Sequence, residues 1–100
     1  MFVCGGENIF PGEVESLLEK YASISQAVVL PFAHDTKGEV PYAFVVPENK
    51  AALNEDDVKL YALENGPTYA HPRRVFILRE IPLTGTNKTD RKALRALAAD

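Results

Sequence analysis

The sequence is short of the residue types that build covalent cross-links and metal sites, with one cysteine, Cys4, and two histidines, His34 and His71. A lone cysteine closes no internal disulfide, which suits a reducing, cytoplasmic setting. It also excludes a cysteine-based zinc site. The histidines lie far apart without helical ligand spacing, so no protein-bound metal is expected. Positive charge is not in surplus either. A net charge of −3 argues against a nucleic-acid partner, which would favour a basic face. No apolar run is long enough to span a bilayer, and no basic segment plus apolar stretch marks a signal peptide. Neither GxGxxG nor GxxxxGK occurs, so no loop is a self-contained phosphate cradle.

What is present is ordinary for a soluble globular domain: 46% hydrophobic and 25% charged residues in a chain of 100. Residues 1–100 are expected to form one domain with a modest core. Pro11 suits a first helical position, and Val14, Leu17, Leu18 and Tyr21 make one buried stripe, which predicts a helix over 11–22. Glu13, Glu15 and Glu19 then fall on its solvent side. The run Ala27–Leu30 predicts a strand over 25–31, and "AHDTKGEVP" a polar turn. Residues 41–47 alternate, with Tyr42, Phe44 and Val46 on one face and Ala43 and Val45 on the other. Pro41 and Pro47 bound that strand, which pairs most simply antiparallel with the first.

Asn54 is a suitable N-cap for a second helix, which carries Val58, Tyr61 and Ala62 inward and stops at Gly66–Pro67. Val75–Leu78 is a third strand. A last helix over 90–99 turns Leu94, Leu97 and Ala98 to the core. The order helix, strand, strand, helix, strand, helix implies an α+β fold, helices packed on a small three-stranded sheet.

Two stretches are richer than such a fold requires. In "VCGGENIFPGEVE", residues 3–15, adjacent Gly5 and Gly6 permit positive φ or close approach of another surface. On the glycines alone, a tight turn between a short strand and the first helix is the simpler reading. In "PLTGTNKTDR", residues 82–91, Lys88 sits on a Thr/Gly/Asn turn just before the terminal helix. By spacing alone it is a solvated lysine or a compact cation aimed at a developing negative charge. His71–Pro72–Arg73–Arg74 reads as a solvated connector, and His34–Asp35 as turn chemistry.

Together the stretches are more specific. "GGENIFPGEVE" resembles the GGxNIxPxEVE element of the adenylate-forming superfamily of acyl-CoA synthetases, adenylation domains and luciferases. "PLTGTNKTDRKALR" resembles that superfamily's closing PxTxxGKxxRxxLR element. Between them, "VVLPFAHDTKGEVPYAFVVP" is similar to AVVGxPDxxxGExxxAFVV, and "YAHPRRVFILREIPLT" to YKxPxxxxFVDxLPxT. The resemblance covers essentially the whole chain in order.

It implies the small, mobile C-terminal domain of an acyl-CoA synthetase, partner to a large N-terminal domain outside these 100 residues. That larger part would hold ATP, Mg2+ and the carboxylate substrate, and fatty acid metabolism is one expected setting. The family reaction joins a carboxylate to AMP and then passes the acyl group to CoA. Lys88 matches the lysine of the first step. Val3, Cys4, Gly5, Gly6 and Glu7 match the loop that lines the pantetheine channel in the second. Asn87 stands where the family usually has Gly, and Asn is among the residues that tolerate left-handed backbone. Two further readings stay open here: the end of an amino-acid adenylation domain serving a carrier protein, and a free-standing binding module.

Overall fold

The computed structural model describes residues 1–49 and 52–98. In chain order the elements are strands β1 (Phe2–Cys4) and β2 (Glu7–Ile9), helix α1 (Pro11–Glu19), strands β3 (Ile24–His34) and β4 (Gly38–Pro47), helix α2 (Glu55–Asn65), strand β5 (Arg74–Ile77) and helix α3 (Arg91–Ala98). The three strands expected from the sequence, now β3, β4 and β5, form the body of the sheet. A short N-terminal hairpin adds two more, because Gly5 and Gly6 turn the chain back on itself before it reaches α1.

β3 and β4 are longer than their apolar runs suggested. They pair antiparallel from Ile24 opposite Pro47 to His34 opposite Gly38, which leaves only Asp35–Lys37 as the turn. Pro41 was expected to open its strand and instead lies inside it, facing Pro31. Both prolines fit because neither position directs its N–H into the β3–β4 ladder. The Pro41 carbonyl points the other way, accepting from Arg73 N at 2.9 Å. β5 then runs parallel to β4, from Tyr42 opposite Arg74 to Val45 opposite Ile77.

β4 is buried on both faces, as its two alternating apolar sets require. Ala43 and Val45 pack with Val14, Leu18, Val58 and Ala62 beneath α1 and α2. Phe44 and Val46 pack with Leu30, Ile81 and Leu94 beneath α3. Helix α1 ends at Glu19, before the expected residue 22, yet Tyr21 still reaches the core and stacks on Tyr61 at 4.8 Å. Asn54 caps α2 as expected, its Oδ1 accepting from Asp57 N at 2.8 Å. Leu97 departs from expectation and is 49% exposed. Leu94 and Ala98 define the inner row of α3, and Leu97 lies about 100° round the axis from Ala98. The expected last residue of that helix, Ala99, lies outside the described residues.

Outward backbone donors of β3 and β5 are met by carboxylates, and here the expectation for α1 is corrected. Glu13 stays exposed, but Glu15 and Glu19 do not simply face solvent. Val29 N donates to Glu15 Oε2 at 2.8 Å and Ala27 N to Glu19 Oε2 at 3.1 Å. On the opposite side Val75 N donates to Glu55 Oε2 at 2.8 Å, tying the start of α2 to β5. That bond, ahead of the charges of Lys59 and Arg74, holds the Glu55 carboxyl below the ordinary carboxylate range.

Glu55→Ala leaves the Val75 N–H without its acceptor and is expected to lower unfolding free energy by about 1–2 kcal/mol, read by urea titration. Because the folded-state pKa of Glu55 is depressed, its contribution is present at neutral pH and lost as pH falls through that value. The difference between wild type and Glu55→Ala should therefore narrow in acid.

Candidate functional site

The glycine turn is built by the strands on either side of it. Phe2 faces Ile9, Val3 faces Asn8 and Cys4 faces Glu7, which leaves Gly5 and Gly6 as a two-residue connection. Their φ values of 56° and 87° are those of a primed hairpin turn, which glycine adopts without steric penalty. Gly5 N donates to the Lys37 carbonyl at 2.9 Å, so the turn is pinned to the tip of the β3–β4 hairpin. A side chain at Gly6 would meet nothing within 4 Å, so one side of the turn is open.

Of the five candidate residues here, Val3, Gly5, Gly6 and Glu7 present surface. Cys4 differs: it is 2% exposed, and Arg73 Nη2 donates to its sulfur at 3.4 Å. At this turn Cys4 has backbone to offer and no thiol.

The Lys88 loop is a second, hydrogen-bonded hairpin. Leu83 and Thr89 bridge across it, Thr84 N donates to the Lys88 carbonyl at 2.7 Å, and Asn87 N to the Thr84 carbonyl at 2.9 Å. The Thr84 hydroxyl also accepts from the backbone N–H groups of Thr86 and Lys88, each at 3.3 Å. Asn87 has φ 64°, so it takes the left-handed conformation that the sequence suggested Asn would tolerate here. Directly after the loop, Asp90 accepts from Ala93 N at 3.0 Å and starts α3. Lys88 is exposed, and among the described residues it makes no ion pair. Its ammonium is carried on an ordered backbone and left available.

These two elements sit at opposite ends of the sheet. Cys4 pairs with Gly38, at the start of β4. Leu83 and Thr89 line a cleft with Gln26, Ala27 and Val28, which pair with Val46, Val45 and Phe44 near its end. Gly38 and Val45 are separated by roughly 23 Å of extended chain. The structure therefore does not bring Lys88 and the glycine turn together; it places them at opposite ends of β4.

His71–Arg73 is less solvated than expected. Pro72 is buried, and Arg73 Nη1 donates to the carbonyls of Tyr69 and His71, so the guanidinium is folded back on its own segment. Burial holds His71 below its ordinary pKa, against the pull of the Thr68 carbonyl. The Nδ1 of His34 accepts from Thr36 N and Lys37 N at 3.3 Å, ordinary turn chemistry. Among the described residues no group of three His, Cys, Asp or Glu is placed to hold a metal. Sequence reasoning missed the Lys37 carbonyl as the anchor of the glycine turn, since no side-chain pattern marks a backbone acceptor.

Residues 13–88 match the family described as the AMP-binding enzyme C-terminal domain. This chain belongs to that family. The matched span runs up to Lys88, and the adenylate-forming resemblance of the sequence is thereby supported over most of the chain. A peroxisomal trans-cinnamate:CoA ligase of Petunia hybrida is 35% identical over 98% of this chain. A 2-succinylbenzoate–CoA ligase of Listeria monocytogenes is 32% identical over 95% of it. Among solved structures, an o-succinylbenzoate CoA synthetase from Bacillus subtilis, bound with a product analogue, aligns at TM-score 0.82 and 30% identity over 95% of this chain. The chain spans 17%, 20% and 19% of the lengths of these three proteins. No described helix is long and apolar enough to cross a membrane.

Asn87→Val forces a β-branched residue into the left-handed region and should strain the loop by about 1–2 kcal/mol, whereas Asn87→Gly should be tolerated. Hydrogen exchange at the amides of Thr84 and Asn87 reads the difference: faster in Asn87→Val, little changed in Asn87→Gly.

Proposed function

We propose that residues 1–100 are the small C-terminal domain of an ATP-dependent acyl-CoA synthetase, working with a large N-terminal domain that supplies the ATP, Mg2+ and carboxylate pockets. The observation that carries this reading is the Lys88 loop: a hydrogen-bonded hairpin that presents a free ammonium at one end of the sheet, in a chain of the AMP-binding family. Lys88 is then the adenylation lysine. Its charge lies between the incoming carboxylate and the α-phosphate oxygens, offsets the repulsion between the two anions, and stabilises charge that grows in the transition state. A contact of this kind is worth about 3–4 kcal/mol, or roughly a thousandfold in rate.

In the second step the domain turns and the Gly5–Gly6 hairpin faces the site in place of Lys88. Without side chains at its tip, the turn lets the narrow pantetheine arm of CoA pass, while Val3 and Glu7 flank it. Placement at opposite ends of β4, whose Gly38 and Val45 are roughly 23 Å apart along the strand, suits alternation: when one end of the body faces the pocket, the other is clear of it. CoA as acceptor is supported by the CoA ligases among the relatives. A cytoplasmic setting belongs to the same reading, whereas the Petunia relative is named as peroxisomal.

In the intact enzyme, Lys88→Ala is expected to cut acyl-adenylate formation about a thousandfold and to spare thioester formation from preformed acyl-adenylate. Equal loss of both half-reactions would overturn the assigned role. The 100-residue chain alone is expected to release no pyrophosphate when given ATP and a carboxylate.

A further inference from the structure

We propose that Glu15 and Glu19 are a strand-edge guard, which keeps two copies of this chain from pairing β3 to β3. β3 runs from Ile24 to His34 and is hydrogen-bonded to β4 along one side only. Its other side is an edge, the kind of surface on which a second strand adds by backbone pairing. An edge this long, with Ala27–Val28–Val29–Leu30 at its middle, is a ready template for another copy of itself.

Most of the outward backbone donors along that edge are taken or missing. A register irregularity lies at its start, between Ile24 and Gln26, where a bulge disrupts straight pairing. Ala27 N and Val29 N, the next outward donors, are taken by Glu19 and Glu15 at 3.1 and 2.8 Å. The following outward position is Pro31, which has no N–H to offer. Only Ala33, beside the hairpin turn, comes after it.

The fit of helix to strand is metric. Residues four apart on a helix are separated by about 6 Å along the axis, and residues two apart on a strand by about 6.6 Å. Glu15 and Glu19 are four apart in α1, and they meet Val29 and Ala27, two apart in β3, in reversed order. An antiparallel helix thus lays its carboxylates on consecutive outward N–H groups. Two like charges in this relation repel each other on a helix, so nothing in α1 itself favours the pair; the edge of β3 explains it. Around a twofold axis between two β3 edges, the four carboxylates of both copies would also meet face to face. The inference is independent of the acyl-transfer reading.

Sedimentation of the Glu15→Ala/Glu19→Ala double variant from micromolar to millimolar concentration tests it. The variant should keep its helical circular dichroism and self-associate, while wild type stays monomeric and Glu15→Gln/Glu19→Gln, which keeps an acceptor oxygen at both sites, stays monomeric too. A folded alanine variant that remains monomeric throughout overturns the proposal, and so does equal association of both double variants. If the alanine variant does not fold, hydrogen exchange in wild type decides. Ala27 and Val29 amides should exchange at least tenfold more slowly than Ala33, and equal rates overturn the guard.

Discussion

The backbone ladder between β3 and β4 runs almost the full length of both strands, and each other element takes its place from it. β4 is buried on both faces and has neighbours on both sides, so its polar backbone is satisfied only if those neighbours are in register. α1 and α2 lie on the face of Ala43 and Val45, and α3 lies on the face of Phe44 and Val46. The carboxylates of Glu15, Glu19 and Glu55 then take outward backbone donors of β3 and β5, beyond the reach of the ladder. A sheet this narrow has proportionally long edges, and helices that lay a carboxylate against an edge donor meet that problem without adding strands.

The same ladder makes the molecule a stiff spacer between two unlike loops. One loop is pinned at its tip through Gly5 N and the Lys37 carbonyl; the other closes on itself through Thr84, Asn87 and Lys88 before handing over to Asp90 and α3. Neither depends on the other for its shape. A body of this kind can present either end to a partner by rotating as a whole, with no refolding of the loops.

Much of this was legible in the sequence, and for identifiable reasons. Periodicity located α1, α2 and the two faces of β4; Asn54 and Gly66–Pro67 bounded α2; Asn87 signalled a left-handed turn. Pro47 ends β4 as expected, but Pro41 misleads, because it reads locally as a strand boundary and only the partner strand reveals that its missing N–H is harmless. Glu15 and Glu19 misled for a similar reason. On a helical wheel they are solvent-facing, and their acceptors' targets are backbone groups of a strand that no side-chain pattern advertises. Hydrophobicity points Leu97 inward, but α3 is eight residues long and has room for one well-buried row. Of the candidate site, residue types and turn chemistry were readable; the separation of the two loops was not, since it follows from strand register.

That register is itself fixed by a pair of residues with no chemistry of their own. Pro31 and Pro41 face each other with their nitrogens turned out of the ladder. Sliding β3 by one residue would turn Pro31 toward β4, where it has no hydrogen to donate, and would flip its apolar residues to the wrong faces. The facing prolines therefore work as the zero mark of a ruler. One end of that ruler carries the glycine turn and the other carries Lys88, so a slip in the middle of the sheet would misplace both loops at once.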